Sequence, residues 1–380
     1  MPASSPSSPA LTLEESLARD RRIVLTLDAG GTGLKFTAIQ GNRLLASPIT
    51  LPTEAENLER CLANIVAGFE QIARALPAPP AAISFAFPAP ADYPAGIIDN
   101  IGNLPAFRGG VPLGPILEER FGVPVFINND GDLFAYGEAL AGFLPAVNRL
   151  LAEAGSPKRY RNLLGLTLGT GFGGGIVRNG ELYIGDNSNA GEVWLLRNAL
   201  DPGINAEEGA SIRAVRRWYA DAVGIAAAGA PEPREIFEIG SGRAAGNRAA
   251  ALAAWRNLGE VVGDCIAQAL TLLDGLVVIG GGLGGAHELF LPAAVAAMNA
   301  DFSACPGRRR LVPRGFNLED PIEREAFLRG ERRELAVPGS SRRVPYDPLQ
   351  RTGVGISRLG TSEAVAIGAY AFALRKLGPA

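Results

Sequence analysis

At 380 residues, with 47% hydrophobic and 20% charged side chains, the chain is long enough for two domains and reads as a soluble globular protein. A net charge of −3 offers no global attraction for nucleic acid, and the longest apolar run, 269–286, is interrupted by Asp274 and too rich in glycine for a membrane span. Cys61, Cys265 and Cys305 are scattered with no C-x-x-C pair, which fits a reducing, cytoplasmic setting and argues against structural zinc.

Residues 1–20 combine Ser, Pro and Ala with a short helical patch and are expected to form a disordered tail, without the basic start and apolar core of a signal peptide. Residues 23–27 read as a buried strand. Asp28, Gly30, Gly31, Thr32 and Gly33 interrupt it, and 36–39 resume as a second strand. The tip of such a hairpin exposes backbone N–H groups with no Cβ to keep a phosphate away. Asp28, at the strand end, can hold a metal ion directly or through water, although an ordinary glycine-rich hairpin explains the stretch equally well. The pattern is neither G-x-x-x-x-G-K-[ST] nor G-x-G-x-x-G, and no helix signal follows it directly.

Helical spacing covers 54–76, through Leu58, Leu62, Ile65, Phe69 and Ile72. Residues 81–87 read as a strand stopped by Pro88, Pro90 and Pro94, followed by a loop at 101–107, a helix near 114–121 and a strand at 125–127. That strand ends in Asn128, Asn129, Asp130, Gly131 and Asp132, ahead of a helix expected over 133–140. Open α/β sheets place their chemistry at such strand ends, but Asn and Asp also cap helices. Residues 141–162 read as a connecting segment.

Residues 163–168 form the next expected strand. Gly169, Thr170, Gly171, Phe172, Gly173, Gly174 and Gly175 make a second glycine loop before a strand at 176–177. Two strand–glycine–strand units, each opening an α/β half, suggest a duplicated fold with a cleft between the halves. Asn187, Asn189, Glu192, Glu207, Glu208 and Ser211 crowd a stretch with little periodicity. Helices are expected from 211 to 273 with a bend at 224–233, then a strand from 275 into a third glycine loop at Gly280, Gly281 and Gly282. The single histidine, His287, reads as a surface or capping residue. Residues 299–359 are rich in arginine and read as an insertion over the surface, ordered at least around 346–356, and 361–377 is a last, largely apolar helix.

In register, these landmarks resemble the ROK family of sugar kinases, over 23–298 and again over 353–377. The motifs are Asp28-Ala-Gly-Gly-Thr32, Asn103-Leu-Pro105, Asn129-Asp130 with Gly137-Glu138, the 169–175 loop, Ala190-Gly-Glu192 and Gly280-Gly-Gly282. The resemblance implies an α/β, actin-like ATPase (ribonuclease H-like) fold in two lobes, a small one of 21–127 plus 361–380 and a large one of 128–360. It implies ATP-dependent phosphorylation of a hexose hydroxyl, foremost the 6-hydroxyl of glucose or a close relative. An N-acetylhexosamine or other hexose is the alternative acceptor. A sugar-responsive regulator ranks lower, because few residues precede Asp28.

On that pattern Asp130 is the general base. ATP and its phosphates lie against Asp28, Gly30, Gly31, Thr32, Gly169, Thr170, Gly171, Gly281 and Gly282. Sugar hydroxyls meet Asn103, Asn129, Asp130, Glu192 and Glu207, and Asp28 holds Mg²⁺ through water. A sugar is the expected small-molecule partner and a homodimer the expected assembly, with no nucleic acid or membrane partner. Three departures stand out. Val193-Trp194-Leu195 follows Glu192 where relatives carry a Gly-His pair. Asn205-Ala206-Glu207 replaces a cysteine-rich zinc motif, so zinc is not expected. Asp132 stands where Asn is usual, either tuning Asp130 or capping the helix.

Overall fold

The computed structural model describes residues 13–29, 33–87, 91–99 and 104–379. The chain divides into two compact units, one of Met1–Asn129 with Ala366–Ala380 and one of Asp130–Val365.

The first unit opens with α1 (Leu13–Arg19), which falls inside the expected tail but buries Leu17. Arg22 then grips Asp20 with two nitrogens and donates to the Gly378 carbonyl at 2.7 Å, fixing the entry into the sheet. Strands β1 (Val24–Ala29), β2 (Gly33–Gln40), β3 (Arg43–Leu44) and β4 (Ile49–Pro52) precede α2 (Leu58–Arg74). After them come β5 (Ala82–Ala86), the short pair β6 (Ala91–Asp92) and β7 (Ile97–Ile98), α3 (Leu113–Phe121) and β8 (Val125–Asn128). The sheet order is β3-β2-β1-β5-β8 with β4 also on β2, so the expected hairpin is antiparallel and β5 and β8 add to it in parallel. Helix α2 starts where the Asn57 side chain accepts from Arg60 N. It buries Cys61, Ile65, Phe69 and Ile72 at helical spacing, and Phe69 stands edge-on to Phe36.

The second unit begins with α4 (Asp130–Leu140), three residues earlier than the expected start, so Asp130 and Asp132 sit in its first turn. Residues 141–162 are not merely a connection: α5 (Phe143–Glu153) buries Phe143, Leu144, Val147 and Leu151 on one face. Pro145 interrupts the sequence pattern but not the helix, because a first-turn N–H has no intrahelical partner to lose.

Next come β9 (Leu163–Leu168), β10 (Phe172–Arg178), β11 (Glu181–Tyr183), α6 (Ile212–Val223), α7 (Pro233–Gly240), α8 (Arg248–Leu273), β12 (Leu276–Gly280) and α9 (His287–Asn299). His287 opens α9 with Nδ1 3.2 Å from the Gly284 carbonyl. The remaining elements are β13 (Asp301–Phe302), β14 (Cys305–Arg309), β15 (Arg314–Asn317), α10 (Pro321–Arg329), β16 (Arg333–Ala336), β17 (Arg343–Tyr346), β18 (Arg351–Ile356) and α11 (Thr361–Leu377).

The sheet of this unit runs β11-β10-β9-β12-β18-β15. The 299–359 segment is therefore not one surface insertion. The hairpins β13–β14 and β16–β17 are largely exposed, but β15 and β18 are strands of the main sheet, and β18 is buried and parallel to β12. Its sequence, R-T-G-V-G-I, hides this. Gly353 and Gly355 leave no apolar alternation, yet a Cβ at either would press on Leu318 or Phe143.

Arg351 opens β18 fully buried, with Nη1 2.6 Å from Asp347 Oδ2, itself 3% exposed. Asp347 Oδ1 accepts from the backbone N–H groups of Glu331 and Leu349, and the guanidinium lies 5.4 Å over the Phe327 ring. Burial alone would raise the Asp347 carboxyl, but Arg351 and these donors hold it below its ordinary value. Removing one partner of such a pair leaves an uncompensated buried charge. Arg351→Met is expected to cost about 3–5 kcal/mol in urea unfolding. A loss under about 1 kcal/mol would mean that the pair only breaks even with its desolvation.

Candidate functional site

The second unit brings most of the expected residues together through glycine. Gly131, on α4, faces β10 so closely that a Cβ on it would lie 2.6 Å from the Gly174 carbonyl oxygen. A Cβ on Gly174 would lie equally close to the Gly191 carbonyl, and one on Gly175 would strike the Gly131 carbonyl and Asp132 Cα. So the expected loop 169–175 is corrected: its turn is only Gly169–Gly171, and Gly173, Gly174 and Gly175 are strand residues that admit α4 and the 190–193 segment at backbone contact.

This packing seats three carboxylates at one place. Asp130 is exposed at the start of α4, and its Oδ1 accepts from Gly131 N at 2.8 Å. Glu192 is half-buried, and its Oε2 accepts from the Trp194 indole. Asp132 is 2% exposed, and its Oδ1 has no hydrogen-bond partner. Burial first, then the charges of Glu192 and Asp130, push the Asp132 carboxyl well above its ordinary range. The α4 N-terminus pulls the other way, but a helix end favours an anion by only about 0.3–1 kcal/mol, against several kcal/mol for an unpaired buried carboxylate. Burial wins, and helix capping does not account for Asp132.

Glu207 braces the glycine turn. Its Oε2 accepts from Phe172 N at 2.9 Å, and its Oε1 from Arg213 Nη2 at 2.7 Å, while Arg213 Nη1 reaches the Thr170 carbonyl. Ile212 N also donates to the Gly169 carbonyl, at 2.8 Å. The third glycine loop leaves the same end of the sheet, since β9 and β12 are parallel neighbours with Thr167 opposite Gly280. Gly281 has φ +85° and no room for a Cβ against Leu168, and its N–H donates to Thr361 Oγ1 at 2.8 Å. Gly282 has open space where a Cβ would stand.

In the first unit, Asp28 ends β1 with an exposed carboxylate that has no partner among the described residues, and Asn129 follows β8 half-buried. Gly30, Gly31, Thr32 and Asn103 lie outside the described residues.

Sequence reasoning missed Asn198. It is 1% exposed, its Oδ1 accepts from Leu200 N and Asp201 N, and its backbone N–H donates to the Ile204 carbonyl. It thereby closes the 195–205 loop, where the resemblance would put zinc. Among the described residues no group of three His, Cys, Asp or Glu is placed to hold a metal. An Asn followed within five residues by Asp201, Pro202 and Gly203 is the loop signal that could have found it.

Two α/β units, glycine turns at the carboxyl ends of strands and a helix-borne aspartate define a protein of the actin-like ATPase class. The ROK family model matches residues 24–306, and the chain belongs to that family. It is similar to a crystallised glucokinase from Parabacteroides distasonis, 55% identical with a TM-score of 0.88 over 94% of this chain and 99% of that one. An N-acetyl-D-glucosamine kinase of Vibrio vulnificus is 28% identical over 302 residues, 73% of this chain and 91% of its own. A glucokinase of Thermotoga maritima is 27% identical over 286 residues, 70% and 84% respectively.

Removing the Asn198 side chain takes the shared acceptor from two part-buried N–H groups, at about 0.5–1.5 kcal/mol each. Asn198→Ala is expected to speed amide exchange in 195–205 well beyond its effect elsewhere. Uniform exchange changes would show that the loop is held by something else.

Proposed function

We propose that the protein is an ATP-dependent hexose kinase that phosphorylates the 6-hydroxyl of glucose or a close relative. The observation that carries this reading is Asp130, exposed at a helix start and seated by glycine contacts beside a braced glycine turn. Asp130 accepts the proton of the attacking sugar hydroxyl, and Asn129, Glu192 and Glu207 with Asn103 bind the other hydroxyls. The Gly169–Gly171 turn and the open face of Gly282, with Gly30, Gly31 and Thr32, receive ATP. Mg²⁺ enters with the nucleotide and offsets phosphate charge when bound. Asp28, an exposed carboxylate with no partner among the described residues, fits such a hard cation through water.

An N-acetylhexosamine acceptor is the second reading. It is supported by the V. vulnificus relative and by Trp194, whose indole engages the sugar-binding Glu192 just after it.

A homodimer belongs to the same proposal. A groove of about 1170 Å³ is lined by Tyr183, Leu272, Phe302 and Val312, with Leu272 91% exposed. Exposed apolar surface of this kind marks interaction sites, and a second copy related by a two-fold axis is the commonest partner of a soluble chain. Leu272→Asp is expected to convert a dimer to a monomer in light scattering; a wild-type monomer would overturn this assembly. The free cysteines support a reducing, cytoplasmic setting. No helix among the described residues is long and apolar enough to cross a membrane.

ADP release measured over a panel of hexoses and N-acetylhexosamines, with and without Mg²⁺, tests the reading. Activity on at least one hexose, requiring Mg²⁺, is expected; no release with any sugar overturns it. Asp130→Asn is expected to lower kcat by about 10²–10⁴ while calorimetric sugar binding stays nearly intact. A variant retaining more than about a tenth of kcat would remove Asp130 from the base role.

A further inference from the structure

The three carboxylates around the start of α4 are not equivalent. Asp130 and Glu192 each have an N–H donor, from Gly131 and from Trp194, whereas the more deeply buried Asp132 Oδ1 has none. Among the described residues no cation offsets it. Strand β9 carries no ionisable side chain, and Arg178, the only one on β10, falls on the face opposite Gly175, the residue that touches Asp132. Glu181 on β11 pairs in register with Arg178. On α4 itself Glu138 is occupied by Phe143 N, Ser357 Oγ and Leu359 N. Arg149 and Glu153 lie in the second half of α5, and Glu363 on α11 is exposed. The charges acting on Asp132 are those of Glu192 and Asp130, both negative.

We propose that Asp132 is a positioning residue that holds one proton as a neutral carboxylic acid, so that Asp130 and Glu192 can both stay charged around the sugar. Its functional consequence rests on the kinase reading; its protonation does not. A neutral carboxyl fills a buried place without adding a third negative charge where anionic phosphates must approach. When the proton leaves, that charge appears, and sugar binding in the presence of nucleotide weakens.

A carboxyl whose proton is held more tightly in the folded state stabilises the fold fully below the ordinary value of 3.8, and that contribution is lost as pH rises through the folded value. Asp132→Asn, a neutral isostere, escapes that loss. Its thermal midpoint is expected to exceed wild type at neutral pH and to merge with it on acidification towards 3.8.

Isotope-edited infrared spectroscopy gives a direct readout. Wild type at neutral pH should show a protonated-carboxyl C=O stretch that Asp132→Asn lacks. In kinetics, the wild-type KM for sugar should climb with the slope of one proton, about tenfold per pH unit, once Asp132 ionises, and the Asn variant should lose that limb. If the infrared band is missing and the Asn variant is less stable than wild type at neutral pH, Asp132 is ionised and the inference is overturned. If instead no hexose gives ADP, the kinase reading fails, while the infrared and unfolding measurements still decide the proton.

Discussion

The constraint on which the site depends is a backbone contact with no side chain in it. Helix α4 touches β10 through Gly131, Gly174 and Gly175, and the 190–193 segment touches the same strand through Gly191. Each of these is a glycine because a neighbouring carbonyl stands where a Cβ would be, and overpacking of a rigid contact costs about 1–3 kcal/mol per site. The same helix meets Ala364 of α11 across Gly137, again at backbone distance. Asp130 is thus delivered by a helix fixed on two sides, and its position does not depend on the rotamers of its neighbours.

Much of this was legible in the sequence, and the reasons for the exceptions are physical. Of the elements that are visible, α2 buries one apolar face at helical spacing, whereas β1, β5, β9 and α11 are nearly continuous apolar runs. The glycines of 169–175 were visible as a motif, but their division into turn and strand was not. A glycine that faces a helix and a glycine that turns a chain look alike until the partner is known. Strand β18 failed for the same reason, since Gly353 and Gly355 erase its alternation. Pro145 masked α5 by standing where a helix tolerates it. Asp130, Glu192 and Glu207 were all named from motifs. That Glu207 braces the turn through Phe172 N and Arg213 needed coordinates, because its partners lie in different elements.

Buried charge is handled in three distinct ways within the second unit. Arg351 and Asp347 neutralise one another, and Asp347 also accepts from two backbone N–H groups. Glu138 has no cation, but Phe143 N, Ser357 Oγ and Leu359 N point at it, which ties the end of α4 to the turn after β18. Asp132 has neither cation nor donor at Oδ1, and only a proton remains to it. The first two are structural solutions, found away from the glycine turns. The third lies beside Asp130, where an unsatisfied group is tolerated because the surrounding geometry is already over-determined.

The same division extends to the sugar end of the site. Glu192 is fixed from within its own segment by the Trp194 indole, and the loop that follows is closed by the Asn198 amide. A tetrahedral metal would hold such a loop by a few strong bonds whose strength depends on metal supply and thiolate protonation. Hydrogen bonds from Leu200 N and Asp201 N to one buried amide hold it with no metal, and the Asp201 carboxylate adds a bond from Gly203 N. The bonds made by the Asn198 amide are then independent of pH and of metal supply, and the buried carboxyl left at this end of the unit without a donor at one oxygen is Asp132.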